Sequence, residues 1–377
     1  MRRLGWWGAA AATAVILTGA LALPVVLSAD DEGSVGASGS EEPLALEHLP
    51  VGAEPRDGYL AGSEFRRDEE RLTFDLEVGS RITDLVAMSG GYLLWLSDDS
   101  VDESVRFVSD DGTSSRTWQI DVDSFYSALV VSDDGLLGTF VQAGGSAVVI
   151  QDGGRTVTEI PPPGDAMDIG FAPVAVSGTD CRGADADCAV VLHGIKAGGG
   201  TGTWTVRPGR PAEASGPGIP DLRAVAANGY TAGTVKVIED GDGSCTGVAD
   251  TRGDVLWTSC KDRVLSFSPS SRLVMATTSA SFGSGDHELT LFDARSGKER
   301  LRLRTAENVG IYEMVWEDDD HVLAVVSDWK VDEAADEHVG QRWAVLRIGL
   351  DGTREYAVPP VAGEKDDSYG PLDLPQG

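Results

Sequence analysis

The stretch SFSPSSRLVMATTSASFGSGDHELTLFDARSGKERLRL, Ser266–Leu303, holds the plan of the fold in one repeat. An apolar run ends at Ser268-Pro269-Ser270-Ser271 and a second run follows through Leu273–Ala276. After a polar interval a third run turns at Ala294-Arg295-Ser296-Gly297 into a fourth. Pro presets φ, Gly accepts positive φ and Ser closes side-chain turns, so both punctuations are tight. Two tight hairpins joined by a looser middle connection read as a four-stranded meander.

The same plan recurs outward in both directions. Apolar runs start near Ile82, Ser127, Asp168, Leu222, Ser266 and Tyr312, at spacings of 45, 41, 54, 44 and 46 residues. Propeller blades of four strands repeat at about 40 to 50 residues. The first turn of each unit falls at Ser89-Gly90-Gly91, Ser132–Gly135, Ala172-Pro173, Asn228-Gly229, Ser268–Ser271 and Glu317–Asp320. The second falls at Asp110–Gly112, Asp152–Gly154, Arg207–Gly209, Arg252-Gly253, Ala294–Gly297 and Asp351-Gly352. Strand-like residues remain at both ends, Tyr59–Phe65 and Arg71–Val78 in front and Tyr369–Leu374 behind. A ring leaves no open edge when such remnants join in one blade. The expectation is an all-β propeller of seven four-stranded blades closed by both termini, with six blades as the alternative.

Composition sets the surroundings. The 377 residues carry 61 acidic and 30 basic side chains, a net charge of −31, which argues against nucleic acid as a partner. Leu4–Leu27 is 24 residues without a charge, after Arg2 and Arg3 and before Asp30, Asp31 and Glu32. About 20 apolar residues cross a bilayer, and the basic flank stays cytoplasmic. Residues 1–28 therefore read as a membrane anchor or, with Val26 and Ser28 near a cleavage point, a signal peptide. Residues 29–57, opening DDEGSVGASGSEEP from Asp30, read as a disordered tether. Residues 58–377 form the propeller, outside the cytoplasmic membrane and monomeric. Four cysteines in an exported chain read as two disulfides. Proximity pairs Cys181 with Cys188 and Cys245 with Cys260. A turn at Arg252-Gly253 also opposes residues whose numbers sum to 505, as those of Cys245 and Cys260 do.

The hairpins SFSPSSRLVMA (Ser266–Ala276), VSDDGLLGTFV (Val131–Val141) and WEDDDHVLAVV (Trp316–Val326) resemble the inner hairpins of WD-repeat and Tol-type propellers. LFDARSGKERL (Leu291–Leu301) and VADTRGDVLW (Val248–Trp257) resemble the outer hairpins of WD-repeat and quinoprotein-like blades. With its N-terminal apolar segment, the chain is similar to exported WD-repeat-like propellers of high-GC Gram-positive bacteria. The Trp-Asp and Gly-His pairs of true WD repeats are missing. The resemblance implies a fold and a compartment and no activity.

Signals for chemistry are weak. The five His are scattered, so no zinc motif is present. Glu239–Ser244 places carboxylates at alternate positions, but Thr251 stands where a calcium loop needs Glu, and the segment reads as an acidic turn. Ser109-Asp110-Asp111-Gly112 lacks the offsets of a sialidase Asp box and reads as a structural turn. No cofactor is implied. Six tryptophans, at 95, 118, 204, 257, 316 and 343, lie in strand-like runs and read as core, whereas Trp329 opens a polar stretch and is an interface candidate.

Connections in a meander alternate between the blade's two ends, so all middle loops share one rim. The candidate partner surface there comprises Asp98, Asp99, Asp240, Asp242, Asp286, His287, Trp329, Asp332, Glu333 and Asp336, with the Cys181–Cys188 loop placed on the same rim. A rigid scaffold with long acidic loops fits a basic or cationic partner, an envelope or extracellular protein. General acidity for solubility is the plainer reading. A binding module is favoured over a propeller enzyme acting on an envelope or extracellular substrate and over a spacer. A concave central pocket with perturbed carboxylates would favour the enzyme, and a sealed tunnel with a large rim patch the binder.

Overall fold

The computed structural model describes residues 43–98, 103–113, 115–120, 128–164, 166–183, 185–196, 200–214, 218–237, 244–278, 285–332, 337–363 and 370–375. The apolar segment Leu4–Leu27 lies outside them. Among the described residues no helix is long and apolar enough to cross a membrane.

Seven four-stranded antiparallel sheets succeed one another along the chain. The first blade contains β1 (Tyr59–Ala61), β2 (Glu64–Arg67) and β3 (Glu70–Thr73). Blade 2 is β4 (Arg81–Met88), β5 (Gly91–Ser97), β6 (Glu103–Ser109) and β7 (Ser115–Ile120). Blade 3 is β8 (Val130–Val131), β9 (Gly138–Val141), β10 (Ala147–Gln151) and β11 (Thr156–Ile160). Blade 4 is β12 (Ala166–Ser177), β13 (Ala189–Lys196), β14 (Thr201–Val206) and β15 (Glu213–Ala214). Blade 5 is β16 (Asp221–Val225), β17 (Thr231–Val237), β18 (Ser244–Ala249) and β19 (Val255–Ser259). Blade 6 is β20 (Asp262–Phe267), β21 (Leu273–Thr278), β22 (Glu288–Asp293) and β23 (Glu299–Arg304). Blade 7 is β24 (Val309–Trp316), β25 (His321–Asp332), β26 (Glu337–Gly349) and β27 (Arg354–Ala362). The last strand, β28 (Leu372–Asp373), pairs with β1 through Leu60↔Asp373 and Ala61↔Leu372, and so supplies the inner strand of the first blade. Both termini close the ring, as the leftover strands imply.

The second strand of a blade is covered by neighbouring blades on both sides, most fully in β5. In β5 every residue from Gly91 to Leu96 is buried. Tyr92, Leu94 and Leu96 join Leu60, Phe65 and Phe74 of the first blade, while Leu93 and Trp95 join Phe140, Val148 and Ile150 of blade 3. The period of two along a strand delivers alternate side chains to the two neighbours. Trp95, Trp118, Trp204 and Trp343 are buried in these seams, as read from the sequence.

Three features differ from the sequence reading. Ala172-Pro173 is no turn: β12 runs through it to Ser177, with a register shift between Pro173 and Ala175. Proline is tolerated at a bulge or on an edge strand, where a missing N–H breaks no ladder. The connection after β12 is therefore 178–188, which moves the Cys181–Cys188 loop to the end of the blade opposite the middle loops. There Arg182 pairs with Asp180 at 2.8 Å and Asp152 of blade 3 at 3.5 Å. The second disulfide forms on the expected register, with Thr246↔Ser259 and Val248↔Trp257, but the loop is one residue longer, Thr251–Gly253. Gly253 N–H donates to Asp250 O, Ala249 faces Val255, and a bulge restores the sum of 505.

Residues 43–57, read from the sequence as part of a tether, pack on the ring. Leu44 and Leu46 are buried in the seam of blades 6 and 7, and short parallel bridges join Leu44 to Thr305 and Val51 to Tyr356. Arg347 donates to the carbonyls of Ala53 and Glu54 and to Glu317. Three leucines, at 44, 46 and 49, give this strap apolar surface that the Gly/Ser-rich part lacks.

Candidate functional site

Each blade's middle connection and its link to the next blade emerge at the same end. At that end a cavity of about 1200 Å³ opens beside the axis. Its lining comes from the first blade's middle connection, Gly62-Ser63, from the link Phe74–Ser80, and from both ends of blade 2's middle connection, Ser97 and Glu103. Strand length explains the hollow. β1 and β2 have three and four residues, whereas β25 and β26 have 12 and 13. At about 3.3 Å per residue the blade 7 hairpin rises to roughly 40 Å, beside a first blade of roughly 13 Å.

Three carboxyls on the strands nearest the axis line the cavity: Asp84 on β4, Glu313 on β24 and Asp373 on β28. A register shift in β4 lies between Ile82 and Asp84, and one in β24 lies between Ile311 and Glu313. The acid thus follows the bulge in both blades. Bulges re-aim the next side chain, and here the two blades that flank the closing blade each aim an acid inward. Blades 5 and 6 carry the same bulge, followed by Ala224 and Ser266.

Burial dominates the electrostatics. It pushes the Asp84 carboxyl up to about 7, helped by the negative charge of Asp373 and opposed by the Leu129 and Leu85 backbone N–H groups. Leu129 N–H lies 3.4 Å from Asp84 Oδ2, while Oδ1 is buried without a partner among the described residues. Glu313 and Asp373 hydrogen-bond each other, and burial raises both carboxyls. Glu313 also accepts Leu374 N–H at 2.8 Å. Aromatic surface stands beside them. Tyr312 packs on Trp343 with ring centres 4.6 Å apart, and the Trp95 indole N–H donates to Glu103 at 3.2 Å. The Trp343 indole N–H finds no acceptor among the described residues.

Of the sequence-derived candidates, Asp98, Asp286, His287 and Trp329 fall elsewhere on the same end. Asp98 is half-buried just after β5, next to Ser97 in the cavity wall. Asp286 lies 3.5 Å from Arg263, and its backbone bridges Ile311. His287 Nδ1 is 3.0 Å from both Thr305 Oγ1 and Val309 O. The structure brings His287 and Trp329 together edge to face, ring centres 6.4 Å apart. Trp329 N–H donates to Asn308 O at 3.1 Å. Asp332 ends β25, and its side chain, like Asp99, Asp240, Asp242, Glu333 and Asp336, lies outside the described residues, as does most of the Glu239–Ser244 loop. Acids of blade 6 are offset by arginine: Glu288 meets Arg302 and Arg304, and Asp262 meets Arg302.

Other charged groups serve the scaffold. Asp111 accepts from Ser109 Oγ and from Thr113, which hold it down to about 2, a structural turn as expected. Buried His193 lies 2.9 Å from Asp221 across the seam of blades 4 and 5. Among the described residues no group of three or more His, Cys, Asp or Glu is arranged to hold a metal ion.

The axial trio was missed because its members lie at positions 84, 313 and 373, on three strands far apart in the chain. The available signal was the shared place of Asp84 in Ile82-Thr83-Asp84-Leu85 and Glu313 in Ile311-Tyr312-Glu313-Met314.

No protein-family model and no curated protein matches the chain. Solved structures match through the fold. A prolyl endopeptidase aligns with a TM-score of 0.53 at 10% identity, over 85% of this chain and 48% of that one. Ycf48 bound to a D1 peptide aligns at 0.46 and 13%, over 82% and 87%. TolB from Acinetobacter baumannii aligns at 0.41 and 12%, over 78% and 65%. At such identities likeness extends to architecture alone: the chain is a seven-bladed β-propeller similar in fold to these proteins.

Proposed function

We propose that the chain is an extracytoplasmic binding module that receives a basic or cationic partner, an envelope or extracellular protein, on the middle-connection end of its ring. The observation that carries this is the axial hollow beside the tall β25–β26 hairpin, floored by Asp84, Glu313 and Asp373. A rigid ring with one concave end lined by carboxyls attracts cations, which favour their ionised forms, and excludes phosphate. Residues 1–28 would serve as the anchor or the cleaved signal. The charge asymmetry around Leu4–Leu27 and the two disulfides support that address. The rim residues Asp98, Asp99, Asp240, Asp242, Asp286, His287, Trp329, Asp332, Glu333 and Asp336 would surround the hollow, with the β25–β26 tip as the first contact.

A second reading has its own support. A carboxyl near pH 7 in a concave site is what a general acid needs, so the hollow raises the case for a propeller enzyme above its standing in the sequence. Against glycoside hydrolysis, Glu313 and Asp373 bond to each other, closer than the separation of about 5 Å or more between paired catalytic carboxyls.

Changing Asp332, Glu333 and Asp336 together to Lys should abolish capture of the envelope protein that the unaltered chain retains and mass spectrometry identifies. Undiminished capture removes the rim from the binding surface. Hydrolysis of an envelope substrate that disappears in Asp84→Asn would instead establish the enzyme.

A further inference from the structure

We propose that the axial cavity is a subsite for a primary ammonium on an apolar stem, taken between Asp84, Glu313 and Asp373. The subsite rests on reading this end of the ring as the binding end, and it adds the chemical group that enters.

Charge favours a cation. The charged side chains that line the cavity are Asp75, Arg81, Asp84, Glu103, Glu313 and Asp373, five acids against one arginine. Arg81 is exposed at the start of β4, and Glu103 is engaged by the Trp95 indole. Deeper in, the charge that acts on Asp84 is the negative one of Asp373.

Unmet hydrogen bonding points the same way. Asp84 Oδ1 is buried in the cavity wall with no donor among the described residues. An unpaired buried polar atom is costly, and an ammonium offers three donors with a positive charge. Guanidinium, a planar fork, wants a free bidentate carboxylate, whereas Glu313 and Asp373 already face each other. Aromatic walls suit the stem and the charge. Tyr312 is partly exposed and packs against the buried Trp343. The Tyr312 face would hold ammonium by its quadrupole and cover the stem.

Protons then couple to binding. The empty hollow keeps protons on these carboxyls through burial and mutual repulsion. A bound ammonium favours their ionised forms, so its arrival expels protons and its affinity rises with pH until Asp84 is fully ionised. The titrating groups that face one another are Asp84 from β4, Glu313 from β24 and Asp373 from β28, with Arg81 and Asp75 at the mouth.

Titration calorimetry on the full chain tests this with cadaverine and Nα-acetyl-lysine amide as probes, and 1-pentanol and Nα-acetyl-norleucine amide as uncharged matches. At least one amine should bind saturably while the uncharged matches do not. Affinity should be higher at about pH 8 than at about pH 6, where heats in buffers of unlike ionisation enthalpy should reveal released protons. Binding of cadaverine alone identifies a free amine as the source, and binding of the lysine amide identifies a partner's side chain. Asp84→Asn and Glu313→Gln should each weaken binding at least about tenfold with thermal unfolding still cooperative. Equal binding of an uncharged match, pH-independent affinity, unaltered affinity in both cavity variants or no amine binding at millimolar concentration overturns the subsite. Any of these with rim-dependent partner capture intact leaves the binding-module reading standing.

Discussion

Asp84 and Glu317 are both enclosed carboxyls, yet their surroundings drive them in opposite directions. Burial lifts Asp84 to about 7, so the folded chain holds a proton that the unfolded chain releases near pH 4. Its favourable share of stability is present in acid and is lost as pH climbs from about 4 through 7, on the order of 4 kcal/mol in all. Asp84→Asn keeps the acceptor for Leu129 N–H and removes the titration. Thermal unfolding should show the variant stabilised at about pH 8 by up to a few kcal/mol and nearly unchanged at about pH 4. A less stable variant at the higher pH would contradict the burial argument. Glu317 also pays for burial, but Arg347, together with the Arg56 N–H and charge, outweighs it and holds the carboxyl below its ordinary value. Its contribution is present above the ordinary glutamate range and fades as pH falls below it. Arg347→Met should therefore cost about 3 to 5 kcal/mol near neutrality by leaving a buried charge, while the double change with Glu317→Met should cost much less. Urea unfolding of the pair and the two singles measures that coupling.

Strands and turns were legible wherever a chemical constraint acts locally. Ser132 Oγ bonds to Asp134 and Asn228 Oδ1 accepts Tyr230 N–H within their turns, so those residues mark hairpins by what they do in the turn itself. Cys245 and Cys260 were readable because hairpin arithmetic is local too. Pro173 misled because its meaning depends on place: in an inner edge strand with a bulge it needs no turn. That one displacement carried the Cys181–Cys188 loop to the wrong end of the ring. Leu44 and Leu46 were obscured by the Gly, Ser and Glu around them, and the seam that buries them lies some 260 residues onward. The axial acids were invisible for the same reason, since a site built from three blades has no local spacing. At this scale the Cys245–Cys260 bridge invites a test. It closes a 15-residue hairpin, and its loss through paired Ser substitutions should cost about 3 kcal/mol in denaturant unfolding. Indifference to the change would mean that the β18–β19 register is fixed by the ladder alone.

Ring closure is where sequence ends, architecture and site become one problem. β28 contributes two residues to a sheet, yet Leu372 and Leu374 are buried against Tyr59, Leu323 and Trp343, and Asp373 completes the axial trio. Without it, β1 would expose its inner edge and the seam between blade 7 and the first blade would open. Each lost leucine costs about 2 to 5 kcal/mol even where the backbone stays in place. The sum approaches the whole stability of an ordinary domain, about 5 to 15 kcal/mol. A chain ended at Gly363 should therefore lose cooperative thermal unfolding and its near-ultraviolet aromatic signal, and should accumulate as aggregate. Leu372→Ala in the intact chain should fold but unfold at lower temperature, because the edge remains paired. A soluble, cooperatively unfolding chain ended at Gly363 would show that six blades hold without the first blade's inner strand. In that case the axial hollow would be an optional feature added to a self-sufficient arc, and partner binding could be examined with Asp373 absent. The contrasting outcome ties the binding end to the fold: the strand that seals the ring is also the one that brings the third carboxyl to the axis.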